Sequence, residues 1–210
     1  MNRDDYINPK SWYGSYYELA MEYVPTGNDE RLLKAINALW ESPTLRGPWQ
    51  AQEHFGQTAI VPSALEVDDY NWLSGFLLLA DGREVGCMSI TVREESGADW
   101  LDLCLPTGML RRVFPLRYSI DATTRRENPW LDTIDEQFIA IAERVFNVAP
   151  FDFAMLGEEV SGMLRVETLT ADQLSNGGIL LPPKLSHKLG IVNPSQLHLS
   201  GLHWLPWQIE

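Results

Sequence analysis

The sequence predicts an α+β fold in which a mainly antiparallel sheet carries two amphipathic helices packed on one face. Three observations lead to this prediction: a two-residue alternation of apolar side chains in residues 15–24, an Asp81-Gly82 pair between two apolar runs, and two segments with apolar residues at three- and four-residue spacing. The order of strand, helix, several antiparallel strands, helix and strand is typical of this class. We expect residues 1–210 to form a single domain, because no repeat or Ser/Gly-rich linker divides them.

The first strand is predicted from Ser15 to Val24, because every second residue points to the same face of a strand. A helix follows, with Asp29 and Glu30 at its start, where the helix dipole favours acids. It ends before Pro43, since proline disfavours helical geometry in the preceding residue. The apolar positions of this helix are Leu32, Leu33, Ile36, Leu39 and Trp40.

A three-stranded meander is predicted in the middle of the chain. Residues Pro43–Asn71 show no clear period, so we expect an irregular connection that contains a short strand at Thr58–Val61. Alternating or apolar runs then indicate strands at Leu73–Ala80, Glu84–Arg93 and Trp100–Leu105. The turn between the first two is the Asp-Gly pair, which tolerates the positive φ angles of a tight hairpin.

A second helix is predicted to begin with Asn128 as its cap and Pro129 at the first helical position. Its apolar face is unusually regular. That face consists of Leu131, Ile134, Phe138, Ile141 and Val145.

Short elements are predicted beyond the second helix. Alternation favours strands at Phe151–Met155 and Met163–Leu169, and a brief strand at Gly178–Leu181. Residues Ala171–Leu174 are expected to form a single helical turn.

The charge of the chain excludes one large class of function. With 16 Lys and Arg against 29 Asp and Glu, the formal net charge is −13, whereas binding to nucleic acid requires clustered cations. No signal-peptide pattern or membrane-length apolar run is present, so we expect a cytoplasmic protein without membrane contacts. Motifs for phosphate or dinucleotide binding are missing as well, and no cofactor is expected.

The cysteines and histidines do not indicate a metal or a nucleophile. Cys87 and Cys104 are expected to be reduced, buried thiols; a disulfide is conceivable if the two strands that carry them bring them face to face. The histidines lack the i, i+4 spacing of a helical metal pair. They are His54, His187, His198 and His203.

Two features of the sequence are candidates for a catalytic or binding site. Glu158 and Glu159 follow a predicted buried strand and are the candidate catalytic acids, although adjacent acids are commonly just solvated. Five arginines lie close together in a chain with a large acidic excess, so they form either an anion-binding site or ion pairs with the chain's own acids. These arginines are Arg111, Arg112, Arg117, Arg125 and Arg126.

Trp204 and Trp207 give the carboxyl end an aromatic character, which suits either an interface with a partner or second copy, or a terminal strand folded onto the core. Two functional hypotheses remain open. The one we favour is a non-enzymatic interaction protein, similar in kind to an inhibitor or immunity protein, whose acidic surface binds a basic protein partner. The alternative is an enzyme or small-ligand-binding protein with an arginine-lined pocket for a small anionic ligand.

Overall fold

The computed structural model describes residues 3–50, 70–95, 97–117, 120, 125–175, 177–191, 195–196 and 201–208. Its α-helices are α1 (Arg3–Ile7), α2 (Asp29–Trp40), α3 (Thr107–Val113), α4 (Leu131–Val148) and α5 (Pro183–Lys188). Its strands are β1 (Tyr16–Tyr23), β2 (Leu45–Trp49), β3 (Tyr70–Leu78), β4 (Glu84–Arg93), β5 (Asp99–Pro106), β6 (Phe153–Glu158), β7 (Ile179–Leu181), β8 (Ser195–Gln196) and β9 (His203–Leu205). Within the described residues these strands form one antiparallel sheet in the order β2-β3-β4-β5-β1-β6-β7-β9-β8, which confirms the predicted α+β class.

Strand β1 lies at the centre of this sheet. Leu19 is opposite Leu103 of β5 on one side and Leu156 of β6 on the other. Because side chains alternate along a strand, the odd-numbered residues of β1 share one face, where they pack with α2 and α4 in the main core. The prediction of two helices packed on one face of the sheet is therefore confirmed. We call this side the helix-covered face.

Helices α2 and α4 form largely as their sequences predict. The side chain of Asn28 accepts a hydrogen bond from the Arg31 amide at 3.0 Å and caps α2. All five predicted apolar positions of α4 are buried. The predicted cap is wrong, however, because the Asn128 side chain bonds instead to the amide and carbonyl of Arg117, and α4 begins at Leu131 without a side-chain cap.

The opposite face of the sheet is covered by an irregular segment, residues 159–170, which we call the strap. Its apolar side chains pack with those of Phe153, Met155 and α5. The strand predicted at Met163–Leu169 does not form there. The amides of Ser161 and Val166 donate to the side chains of Glu18 and Glu22 rather than to a neighbouring strand, and this explains the difference.

Several short elements, including α1, β2, α3, α5 and β8, are not predicted by the sequence. Strand β2 lies within the stretch that the sequence predicts to be irregular. Gly47 and Pro48 interrupt the apolar alternation that would indicate a strand, and the register of β2 with β3 shifts between Arg46 and Trp49. Helix α3 is short and follows directly from β5. The strand predicted at Thr58–Val61 lies outside the described residues.

In the part of the chain that the structure describes, no helix combines the length and the apolar composition needed to cross a bilayer.

Candidate functional site

Glu158 is the last residue of β6 and emerges from a strand that is otherwise buried. Its carboxylate accepts hydrogen bonds from the Ser15 hydroxyl at one oxygen and from the Ile120 amide, at 3.0 Å, at the other. Both donors are neutral. A carboxylate offers about four acceptor positions, so this one is fixed in place while retaining capacity for further hydrogen bonds.

Glu159 turns the chain out of β6 and into the strap. Among the described residues it is the only non-glycine residue with a positive φ, 49°, a conformation that L residues adopt infrequently. Its amide donates to the Tyr16 carbonyl at 2.9 Å, and its side chain is exposed. The two candidate acids therefore differ: the Glu158 carboxylate is fixed by two hydrogen-bond donors, whereas the backbone of Glu159 turns the chain from β6 into the strap.

A cavity of about 720 Å³ lies at this end of β6. We call it the Glu158 cavity. Met155, Leu156, Ile179 and three apolar residues of the strap contribute to its walls, so it is mainly apolar, with Glu158 as a polar group fixed by hydrogen bonds. The described lining residues are Ile120, Met155, Leu156, Glu158, Val160, Met163, Leu164, Asp172, Gln173, Ser175, Gly177, Gly178, Ile179 and Trp207.

Trp207 separates this cavity from a second one. Its ring lies directly against the backbone of β6 and of the residue that precedes β7: a Cβ atom on Gly178 would come within 2.4 Å of the ring, and one on Gly157 within 3.3 Å. Glycine at position 178 is thus required both by this close approach and by its φ of +72°. The indole N–H of Trp207 is buried and has no hydrogen-bond acceptor in the described part of the chain.

The second cavity, of about 380 Å³, lies between the start of α4 and the carboxyl-terminal segment. We call it the Arg125 cavity, and we call the two cavities together with Trp207 the Trp207 groove. The described residues that line the Arg125 cavity are Arg125, Asp132, Asp135, Glu136, Ile139, Trp204, Pro206 and Trp207.

Arg125 is buried in this second cavity and fully engaged. It donates to Asp132 at 3.0 Å, to Asp135 and to the Tyr17 hydroxyl at 3.1 Å, and its guanidinium lies 5.4 Å from the centre of the Trp207 ring. Burial raises the pKa of Asp135 to about 6, against the opposing effect of Arg125 and the Tyr17 hydrogen bond. The arginine thus neutralises acids of its own chain.

The five arginines proposed for anion binding do not converge. Arg111 and Arg112 lie on α3, and Arg112 pairs with Asp5 at 2.8 Å. Arg117 and Arg126 are exposed, and neither lines the Trp207 groove. Of the five, only Arg125 lines the groove, so the geometry provides no observation in favour of an arginine-lined anion pocket.

The aromatic residues of the carboxyl end occupy different positions. Trp204 is opposite Leu180 in the pairing of β9 with β7, and it packs against the main core. Trp207 lies beyond the strand, between the two cavities. Part of the carboxyl-terminal segment is therefore folded onto the sheet, and both tryptophans also line the Arg125 cavity.

A set of buried carboxylates beneath the strap was missed by sequence reasoning. Glu18, Glu22 and Asp102 are almost fully buried on the strap side of the sheet. Burial raises the pKa of all three, to about 7 for Glu22, and the neighbouring Glu18 further raises that of Asp102. The signal was present in the sequence as acids at alternate positions of an otherwise apolar strand.

Cys87 and Cys104 are free and buried. Cys104 is opposite Met88 rather than Cys87, so the two thiols point to opposite faces of the sheet. Burial raises the pKa of both thiols, which disfavours the nucleophilic thiolate. The described residues contain no group of three or more His, Cys, Asp or Glu side chains arranged to hold a metal ion.

Comparison with known proteins yields no relative for this chain: no family model matches it, and no curated protein or solved structure shows significant similarity.

Proposed function

We propose that this chain is a binding protein whose Trp207 groove accepts the cationic side chains of a basic protein partner. The observation that carries the proposal is the charge of the groove. Its described lining contains five carboxylates and one arginine. That arginine is paired with two of the five, Asp132 and Asp135.

The three remaining carboxylates are the attractive element. Glu136, Glu158 and Asp172 form no ion pair with a cation among the described residues. Glu136 and Asp172 are exposed at the rim, where solvent and a partner can reach them. Clustered charge of one sign steers an oppositely charged partner and increases its association rate.

The aromatic residues supply the second part of the recognition. Trp204 and Trp207 line the Arg125 cavity beside Pro206. Tryptophan is enriched among residues that dominate binding energy, and its ring attracts cations. Lysine and arginine combine an apolar stem with a charged head, which matches a groove of tryptophan bordered by carboxylates.

Binding to a lysine-rich decapeptide tests the charge requirement. The variant Glu136→Gln/Asp172→Asn removes two rim charges, and Glu30→Gln/Glu41→Gln removes two exposed charges on or just after α2. We expect the rim variant to bind about tenfold more weakly, which corresponds to about 1.4 kcal/mol. The control should change affinity by less than about twofold at 0.15 M salt, where charges beyond about 8 Å are screened. Equal losses in both variants would contradict the proposal.

Photo-crosslinking tests whether the partner is a basic protein that docks in the groove. A photoreactive amino acid replaces the exposed Gln173 at the groove, or Glu41 as the remote control. In lysate of the host cell we expect one basic protein to be crosslinked from position 173 only. Crosslinking of the same protein from both positions, or of an acidic protein from position 173, would contradict the proposal.

A further inference from the structure

The Glu158 cavity has the properties of a site for a small molecule. Its volume of about 720 Å³ falls in the range of about 300–1,000 Å³ in which proteins commonly bind small ligands. Met155, Leu156, Leu164 and Ile179 provide apolar walls, and such walls contribute affinity in proportion to the apolar area they cover.

Met163 marks the side of the cavity formed by the strap. It is 69% exposed, which is unusual for so apolar a residue, and it lines the cavity. Methionine side chains are flexible and polarisable, and they adapt to ligands of different shapes. The exposed Met163 side chain can therefore change its conformation and pack against an apolar ligand in the cavity.

The charges in the cavity select the ligand's polar group. Its described lining residues include Glu158 and Asp172 but no Lys, Arg or His. Each oxygen of Glu158 accepts one hydrogen bond from the described residues, and a carboxylate oxygen can accept another. An ammonium group supplies both the donors and the opposite charge, whereas a ligand carboxylate would be repelled.

We propose that the Glu158 cavity binds a small primary amine with an apolar body, the ammonium group donating to Glu158 and the body lying against Met163, Leu164 and Trp207. This inference rests on the same groove as the proposed partner site, since Glu158 and Asp172 line the cavity and belong to that site as well. Glu136 lines the Arg125 cavity but not the Glu158 cavity, so Glu136→Gln separates the two proposals: it is expected to weaken peptide binding and to leave amine binding unchanged.

Three probes of similar size and different charge test the proposal by calorimetry: 2-phenylethylamine, 2-phenylethanol and 3-phenylpropanoate. We expect the amine to bind most tightly, the alcohol about tenfold more weakly and the acid more weakly still. Stronger binding of the acid than of the amine, or no binding of the amine at about 10 mM, would overturn the proposal.

Two variants locate the binding. Glu158→Gln keeps an acceptor for the Ile120 amide and should remove the preference for the amine over the alcohol. Met163→Ala changes an exposed side chain that the fold does not require, and it should weaken the amine and the alcohol alike. An amine affinity unchanged in both variants would place binding elsewhere and refute the proposal, while Met163→Ala alone decides the location if Glu158→Gln does not fold.

Discussion

The two cavities beside Trp207 contain the same chemical group in opposite roles. In the Arg125 cavity, Asp135 is buried and bonded to Arg125 and Tyr17, so its charge is compensated within the chain. In the Glu158 cavity, the donors to the Glu158 carboxylate among the described residues are the Ser15 hydroxyl and the Ile120 amide, and neither carries a charge. The comparison indicates that the hydrogen-bond partners of a carboxylate determine its role. A carboxylate paired with a cation stabilises the fold, whereas one bonded only to neutral donors can still bind a cationic ligand.

Removing the cation of the Arg125 cavity should be among the most destabilising changes. Arg125→Met leaves Asp135 buried beside Asp132 without its ion pair, and breaking a buried pair in this way costs about 3–5 kcal/mol. Urea unfolding measures the loss. The double variant Arg125→Met/Asp135→Asn should recover part of it, because no buried charge then remains in this cavity.

A loss below about 1 kcal/mol in Arg125→Met would show that solvent already compensates Asp135. The role of the pair as a structural element, and with it the comparison between the cavities, would then be wrong.

Phe138 provides an apolar reference next to the same network. Its ring stacks on that of Tyr17 with centroids 6.0 Å apart, and it is fully buried. Phe138→Ala should therefore destabilise the protein by about 3–5 kcal/mol, the usual cost of truncating a buried phenylalanine. Unfolding in urea should show no change in this loss between pH 5 and 8, since no charged group is removed; a pH-dependent loss would contradict this account.

Glu22 makes the stability of the strap side depend on pH. Burial raises its pKa from 4.5 to about 7, and the nearby Asp152 and Glu94 act in the same direction, while Arg165 and the Val166 amide oppose them. Between those two values the folded chain holds a proton that the unfolded chain has released. The resulting stabilisation is present below pH 4.5 and is lost as the pH rises through about 7.

Thermal unfolding of Glu22→Gln tests this effect. Glutamine keeps an acceptor for the Val166 amide without a titratable proton, so the variant should melt at a higher temperature than the parent protein at pH 8 and show a flatter curve from pH 4.5 to 7. Glu95→Gln, at an exposed loop position, is the matched control. If the melting temperatures of the parent protein and Glu22→Gln differ by the same amount at every pH, Glu22 is not the source of the pH dependence.

Glu158 should have the smallest effect on stability. Glu158→Gln breaks no ion pair among the described contacts, and we expect a change below about 1 kcal/mol. A small loss in Glu158→Gln beside a large loss in Arg125→Met would show that Glu158 is available to a ligand, whereas Asp135 is part of a structural ion pair. A loss as large as that of Arg125→Met would mean that Glu158 is a structural residue.

Much of the fold follows from local patterns in the sequence. The Asp81-Gly82 turn is present, with Gly82 at a φ of +84°, and the alternation of β1 and the apolar face of α4 predict which residues are buried. Strand β2 escaped prediction because Gly47 and Pro48 interrupt it. Local signals are sufficient where a residue's own neighbours in sequence determine its conformation.

The candidate site was less accessible from sequence because its determinants are distant along the chain. Ser161 bonds to Glu18 across 143 residues, and this contact replaces the strand that alternation predicts for the strap. Glu158 could be selected from its place after a strand. The position of Trp207 against Gly178 depends on how the carboxyl-terminal segment packs, and the hydrogen bond from Arg125 to Tyr17 spans 108 residues.

The most direct test of the central claim, that the Trp207 groove recognises cations, is a titration of the ¹⁵N-labelled protein with the lysine-rich decapeptide, followed through the indole N–H signals of its eight tryptophans. The Trp207 signal is assigned by its loss in Trp207→Phe. We expect this signal to shift in a saturable manner that weakens as salt increases. If the Trp207 signal stays in place while those of tryptophans outside the groove move, the groove is not the site of recognition.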